Sequence, residues 1–198
     1  MLHESTQQVI RCWLMARIDW GPLEALDEPT LRAFLLRKEQ EINGLSSSEL
    51  VAMVQGEAAQ EIGHRLLQWS WRRELIPLKD FGPWKTVGDA LPFEACCESA
   101  VEAARFVSSY LNTLPKPQSP NQQRCYACHV RRIQALQRFA PVVRDCPLMS
   151  ILVAEKDQRG RGGCKPLRFS SEDGSHRAIA MVLAGYDSIA AWVGNPCP

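Results

Sequence analysis

Two short stretches of this chain hold residues whose types and spacing can do chemistry. The first is E-D-G-S-H-R, residues 172–177, set directly before the apolar run A-I-A-M-V-L-A-G. A helix that opens there presents backbone N–H groups without intrahelical partners and a partial positive charge, which together hold an anion. Gly174 lets the backbone approach a ligand closely. Ser175 adds a hydroxyl, His176 a ring N–H and Arg177 a fork of donors, so these four residues are expected to contact phosphate. Glu172 and Asp173 are the nearest carboxylates, expected to hold Mg2+ or to act as base if a phosphoryl group is transferred. The plain alternative is that Asp173 caps a helix while His176 and Arg177 face solvent.

The second stretch is C-x-x-C-H: Cys125, Cys128 and His129. Two thiolates and an imidazole are zinc ligands, and Cys146, Cys164 and His176 are available to complete a set of four. The same letters also fit buried thiols acting as small apolar groups, or a redox pair. They fit c-type haem attachment too, but the first twenty residues are broken by Glu4, Arg11, Arg17 and Asp19 and do not read as an export signal. Cys96-Cys97 and His64 fall in helical patterns and read as structural. Trp69 and Trp71 beside Arg72-Arg73 read first as core or interface residues and second as a base-stacking surface.

These residues sit in a chain of 198 residues, 45% hydrophobic and 23% charged, the balance of a globular protein. No apolar run is long enough to span a bilayer. Eight cysteines without an export signal point to reduced thiols and a cytoplasmic setting. Net charge is divided unevenly. Residues 1–120 carry 12 basic and 16 acidic side chains, whereas residues 121–198 carry 11 and 6. The arginine-rich second part is expected either to bind anions or to dock on the acidic N-terminal half.

The elements that must position both motifs follow from pattern and punctuation. Helices are expected over Q-Q-V-I-R-C-W-L-M-A-R-I capped by Ser5, over D-E-P-T-L-R-A-F-L-L-R-K-E-Q-E-I-N-G, where Asp27 or Glu28 precedes Pro29 and Gly44 ends the run, and over S-S-S-E-L through W-R-R-E-L as one element. Residues 76–92 read as a loop and 93–114 as a helix. The prolines of P-K-P-Q-S-P-N-Q mark a linker at 115–122. A helix follows over residues 122–140, with a buried stripe at Tyr126, Val130, Ile133, Leu136 and Ala140. Strands are expected at L-M-S-I-L-V-A-E-K, at K-P-L-R-F-S and at S-I-A-A-W-V-G, with a helix 175–184 stopped by Gly185. The whole is α+β: a helical domain at 1–114, then a small mixed α/β unit at 123–198.

D-G-S-H-R-A-I-A-M-V-L-A-G followed by I-A-A-W-V-G resembles a conserved box of the ParB/sulfiredoxin-like superfamily. That box has a hairpin leading into G-x-x-R-x-x-A at a helix start, then a glycine and a strand; Gly174, Arg177 and Ala180 match it, and His176 matches its G-C-H-R and D-G-x-H-R forms. The resemblance covers about residues 141–194, with Pro147-Leu148 where the family has Pro-Ile. It implies a ParB/sulfiredoxin-like fold for the C-terminal part. It also implies that Gly174, His176 and Arg177 contact the phosphates of a nucleotide, ATP as in sulfiredoxins or CTP as in partitioning ParB. Other members are nucleases or an amino-acid kinase. Ser175 stands where sulfiredoxins carry their catalytic cysteine, which argues against sulfinic-acid reduction here.

The leading expectation is therefore a binder of nucleotide or nucleic-acid phosphate at 173–177, with phosphoryl transfer, NTP hydrolysis or nuclease action as its possible chemistry. A different class is a non-enzymatic subunit whose N-terminal helices dock a protein partner. A third is a zinc-stabilised nucleic-acid binder using the basic surface from Arg124 to Arg177.

Overall fold

The computed structural model describes residues 2–18, 25–56, 62–82, 99–112, 120–155 and 167–196. Among them, local capping chemistry sets the N-terminal helices. Helix α1 (Glu4–Met15) is capped by His3, two residues earlier than Ser5, because the His3 ring accepts the Ser5 N–H and meets its hydroxyl at 2.8 Å. In α2 (Glu28–Asn43) the Asp27 carboxylate accepts the Thr30 N–H at 2.9 Å, with proline in the first turn. Helix α3 (Ser47–Gln55) opens on a reciprocal capping box between Ser46 and Glu49.

Beyond α3 the expected single helix does not continue. A short α4 (Gly63–Gln68) leads into β1 (Trp69–Pro77), a strand where helical spacing was expected. The reason is tertiary. Strand β1 pairs antiparallel over its full length with β5 (Ser188–Pro196), from Trp69 opposite Pro196 to Pro77 opposite Ser188. Trp69 and Trp71 stand on one face, ring centroids 5.7 Å apart. Gly194 lies beneath them: a Cβ there would meet Trp71 at 2.6 Å and Trp69 at 2.7 Å, so only glycine fits.

A 3-10 turn (Leu78–Asp80) and the two-residue strand β2 (Phe81–Gly82) follow. Of the expected 76–92 loop, residues 83–92 lie outside the described residues, as do Cys96 and Cys97. Helix α5 (Ala100–Asn112) lies within the expected 93–114 helix, of which 93–98, 113 and 114 lie outside the described residues, and α6 (Pro120–Arg138) begins inside the expected linker, of which 115–119 lie outside them. Val130, Ile133, Leu136 and Ala140 are buried as the stripe requires, while the Tyr126 side chain lies outside the described residues. Helix α7 (Ala140–Asp145) and a 3-10 turn (Pro147–Met149) lead to β3 (Ile151–Glu155).

Strand β4 is Phe169–Asp173, shifted toward the C-terminus of the expected K-P-L-R-F-S; Lys165 and Pro166 lie outside the described residues. Pairing with β3 sets this register, Glu155 opposite Phe169 and Val153 opposite Ser171, with a bulge before Leu152 meets Asp173. Helix α8 (Ser175–Leu183) and β5 complete the chain. Gly185 ends α8 at φ 87°. The N–H groups of Gly185 and Tyr186 turn back to Val182 and Met181, a Schellman stop.

The sheet runs β1-β5-β3-β4-β2, with β3 parallel to β5, β2 parallel to β4 and the other pairs antiparallel. The architecture is α+β: helices first, then a mixed α/β region, with β1 and β2 entering the same sheet as β3–β5. Ile151, Leu152 and Val153 are all buried in succession, so helices cover both faces of the central strand. Helix α8 is buried nearly all round between the sheet and helices α5 and α6, through Arg177, Ala178, Ile179, Ala180 and Met181. Among the described residues no helix is long and apolar enough to cross a membrane.

Candidate functional site

The 172–177 stretch lies where the β3–β4 hairpin hands the chain to α8, one strand from the middle of the sheet. Gly174 makes the corner in the left-handed region at φ 105°, and no side chain caps the first turn of α8. A Cβ on Gly174 would lie 2.4 Å from Ile151 Cγ2, so the corner also needs glycine for space. The N–H groups of His176 and Arg177 have no intrahelical acceptor, the first closed bond being Ala178 N–H to the Gly174 carbonyl at 3.0 Å.

The side chains of this stretch do not converge on one outer point. The two carboxylates part. Glu172 pairs with Arg65 of α4, whereas Asp173 lies 3.4 Å from Arg177 Nη2 on α8. Glu172 is nearly enclosed, at 10% side-chain exposure, and Asp173 is open at 29%. Ser175 is buried and donates to Ser171 Oγ at 3.0 Å. Arg177 is 4% exposed, and its Nη1 donates to the carbonyls of Met149 at 2.7 Å and Ser150 at 3.0 Å. The guanidinium thus sits beneath the corner, bracing the turn that feeds β3. It adds positive charge to the α8 N-terminus from inside.

His176 remains partly exposed and finds an unexpected neighbour. Its Nε2 lies 2.5 Å from Nδ1 of His129 on α6. The ring planes differ by 7° and the centroids are 4.8 Å apart. Each nitrogen lies little more than one bond length from its own ring centre, so 4.8 Å is about the widest separation that contact allows. The imidazoles therefore meet edge to edge in a common plane, nitrogen facing nitrogen. Burial pushes His176 down to about 3, with His129, Arg132 and Arg177 adding positive charge nearby. Burial and then Arg132 hold His129 below the usual histidine value. Both rings are neutral at pH 7, so one N–H faces one bare nitrogen.

The C-x-x-C-H stretch is therefore in contact with the D-G-S-H-R stretch through its histidine. The backbone of α6 carries Cys125 and Cys128, whose side chains lie outside the described residues, as do Arg159, Arg161 and Cys164. Among the described residues no group of three or more His, Cys, Asp or Glu stands ready to hold a metal ion. Cys146 is half-buried at the start of the turn before β3, and His64 is exposed on α4.

Sequence reasoning missed the partners of three side chains: Arg65 for Glu172, Ser171 for Ser175, and the Met149 and Ser150 carbonyls for Arg177. Strand alternation would have placed Ser171 on the face shared with the start of α8, had β4 been drawn through Asp173. Arg65 and the two carbonyls carry no local signal. No protein-family model, curated protein or solved structure matches the chain.

Proposed function

We propose that the corner at Gly174 binds the phosphate of a nucleotide, ATP or CTP, or of a nucleic acid. The observation that supports this is the α8 N-terminus: a nine-residue helix opened by a left-handed glycine, with no side-chain cap and the Arg177 charge beneath it. In this reading the backbone N–H groups of His176 and Arg177 take the phosphate oxygens, and Arg177 is a positioning residue rather than a contact. Asp173, open beside the corner, would repel a bare phosphate, so the ligand is a Mg2+–phosphate with the cation on Asp173. Hairpin, glycine, helix, glycine and parallel strand occur here in the order that the ParB/sulfiredoxin-like resemblance implies, which supports the same reading. Phosphoryl transfer or hydrolysis would need a base at the corner, and the exposure of Asp173 beside it supports that carboxylate in the role.

The test is titration of the isotope-labelled protein with ATP, CTP and a short single-stranded oligonucleotide, with and without Mg2+, following backbone amide shifts. Saturable, Mg2+-dependent shifts centred on residues 173–178 are expected. Shifts centred elsewhere, or none, overturn the reading.

One observation favours the second reading, an interaction subunit without catalysis: the Ser175 hydroxyl and the Arg177 fork are both engaged inside the fold. A partner would then meet the N-terminal helices, where Leu36 of α2 and Met53 of α3 stand exposed. A chain that ignores every nucleotide in the titration but co-purifies with one protein, and loses it on Leu36→Glu, fits this reading instead.

A further inference from the structure

We infer that β1 is the interface of a symmetric dimer, in which its free edge pairs antiparallel with β1 of a second copy about a two-fold axis at Arg73. The backbone hydrogen bonds show which groups are free. Strand β1 is the outermost of the sheet, and among the described residues only β5 pairs with it. The ladder to β5 runs on past the strand, where the Leu78 N–H donates to the Asp187 carbonyl at 2.8 Å. In an antiparallel pair such bonds fall on alternate residues, so Ile76, Glu74, Arg72 and Ser70 turn their backbone groups toward β5. Trp71, Arg73 and Leu75 turn theirs outward. Two details agree with that phase: the Trp69 N–H is taken by the Arg65 carbonyl at the end of α4, and Pro77 has no N–H to offer.

An edge of this kind is a template for another strand unless it is short, bulged or covered. Strand β1 has nine residues, against a usual length of about five or six, and its register with β5 carries no shift. No described residue takes up the outward N–H groups of Trp71, Arg73 and Leu75. Leu75 is 71% exposed, more than Leu36 or Met53. The edge therefore offers backbone donors and an apolar side chain together.

The charges point to a second copy as the occupant. Centred on Arg73, the pairing sets Arg72 opposite Glu74 of the second copy, and Glu74 opposite its Arg72. These are non-hydrogen-bonded positions, where Cα atoms stand about 4.5 Å apart and opposite charges attract. Leu75 lies opposite Trp71 of the second copy, an aliphatic–aromatic pair, and each outward N–H meets a carbonyl of the other strand. Moving the axis by one residue sets Arg72 against its own copy, or Glu74 against its own, so charge selects the register. Arg73 does face its own copy, at the wider hydrogen-bonded spacing of about 5.5 Å. That like-charge pair weakens the contact but is outnumbered by the two attractive ones. The product is one sheet continuous through both copies, an isologous contact that closes on itself. It is independent of the phosphate reading, since the Gly174 corner follows β4, across the central strand from β1.

The experiment is sedimentation equilibrium of the full chain over a range of concentrations, with hydrogen exchange read amide by amide. A monomer–dimer equilibrium is expected, with dimer present at about 100 μM. In the dimer the amides of Trp71, Arg73 and Leu75 should exchange slowly. On dilution to monomer they should exchange fast, while those of Arg72 and Glu74, bonded to β5, stay protected. Arg73→Pro removes an outward N–H, spares the ladder to β5 and suits an edge strand, so it should fold and remain monomeric. Glu74→Lys turns both attractive pairs repulsive and should weaken dimerisation by about tenfold or more. Arg73→Thr removes the like-charge pair and should tighten it. Should a variant fail to fold, the concentration-dependent exchange of the wild type answers the question alone. A wild type still monomeric at about 100 μM overturns the interface, whether or not another chain then binds this edge. So does a dimer that leaves these three amides unprotected, or one that Arg73→Pro and Glu74→Lys leave intact.

Discussion

Arg177 Nη1 donates to the carbonyl of Met149 at 2.7 Å, and through it the first turn of α8 holds the segment that enters the central strand. The same nitrogen reaches the Ser150 carbonyl at 3.0 Å, and the side chain is 4% exposed. A buried carbonyl left without its donor costs about 1–3 kcal/mol. Arg177→Ala strands two and is expected to lower the urea midpoint strongly. Arg177→Lys keeps the charge but loses the planar fork, so it should fall between wild type and alanine. Unchanged midpoints in both variants would show that the guanidinium does not brace this turn.

Gly174 and Gly185 bound α8 at similar dihedrals, φ 105° and φ 87°, yet their surroundings differ. A Cβ on Gly174 meets Ile151 at 2.4 Å, whereas one on Gly185 meets nothing within 4 Å. Gly185→Ala should cost only the left-handed strain, about 1–2 kcal/mol. Gly174→Ala should cost that plus the displacement of Ile151 from the central strand, and so clearly more. Denaturation of the two variants side by side checks this, and equal losses would remove the steric argument for glycine at the corner.

The parts of this fold written in short stretches were readable. Asp27, the Ser46–Glu49 box and Gly185 each bound a helix as their side chains or dihedrals require. Strand β1 was not readable. W-S-W-R-R-E-L carries its apolar groups at spacings that serve either period, and what makes it a strand is β5, more than a hundred residues later. The corner shows the same division. Its glycine, its position before a helix and its two basic residues were legible, but the direction of Arg177 was not. That direction depends on α8 being covered by α5 and α6, which only the assembled chain decides. The meeting of His129 with His176 has the same origin: it exists because α6 lies along α8.

Cys12 offers a check on the packing of α1 against the turn before β3. Its thiol is 1% exposed and faces the Pro147 carbonyl at 3.8 Å, and burial pushes it up to about 12. Thiolate is the reactive form, so Cys12 should resist iodoacetamide at about pH 8 until the chain unfolds. Cys146 is only half-buried; burial and then Glu39 raise it as well, so it should react slowly but ahead of Cys12. Peptide mass spectrometry after timed alkylation distinguishes the two. Native-state labelling of Cys12 at the rate of a free thiol would contradict the burial of α1.

A partly exposed ion-pair network at the end of β3 has a defined pH signature. Glu155 of β3 accepts from Arg72 of β1, which also meets Glu74, and from Arg168 at 3.0 Å. These hydrogen bonds, Arg72's foremost, hold the Glu155 carboxyl below the usual glutamate range. Between its folded value and the unfolded value of about 4.3 the unfolded chain binds more protons, so stability rises with pH there. The contribution is complete above about 4.3 and is lost as pH falls through the lower, folded value. Because the arginines are 42% and 48% exposed, solvent screening limits it to about 0.2–1 kcal/mol. Glu155→Gln should therefore be less stable than wild type by that amount at neutral pH. The gap should close on acidification and narrow at high salt. Urea midpoints of both proteins across the acid range test this, and a gap that does not change with pH would mean that the Glu155 charge contributes nothing.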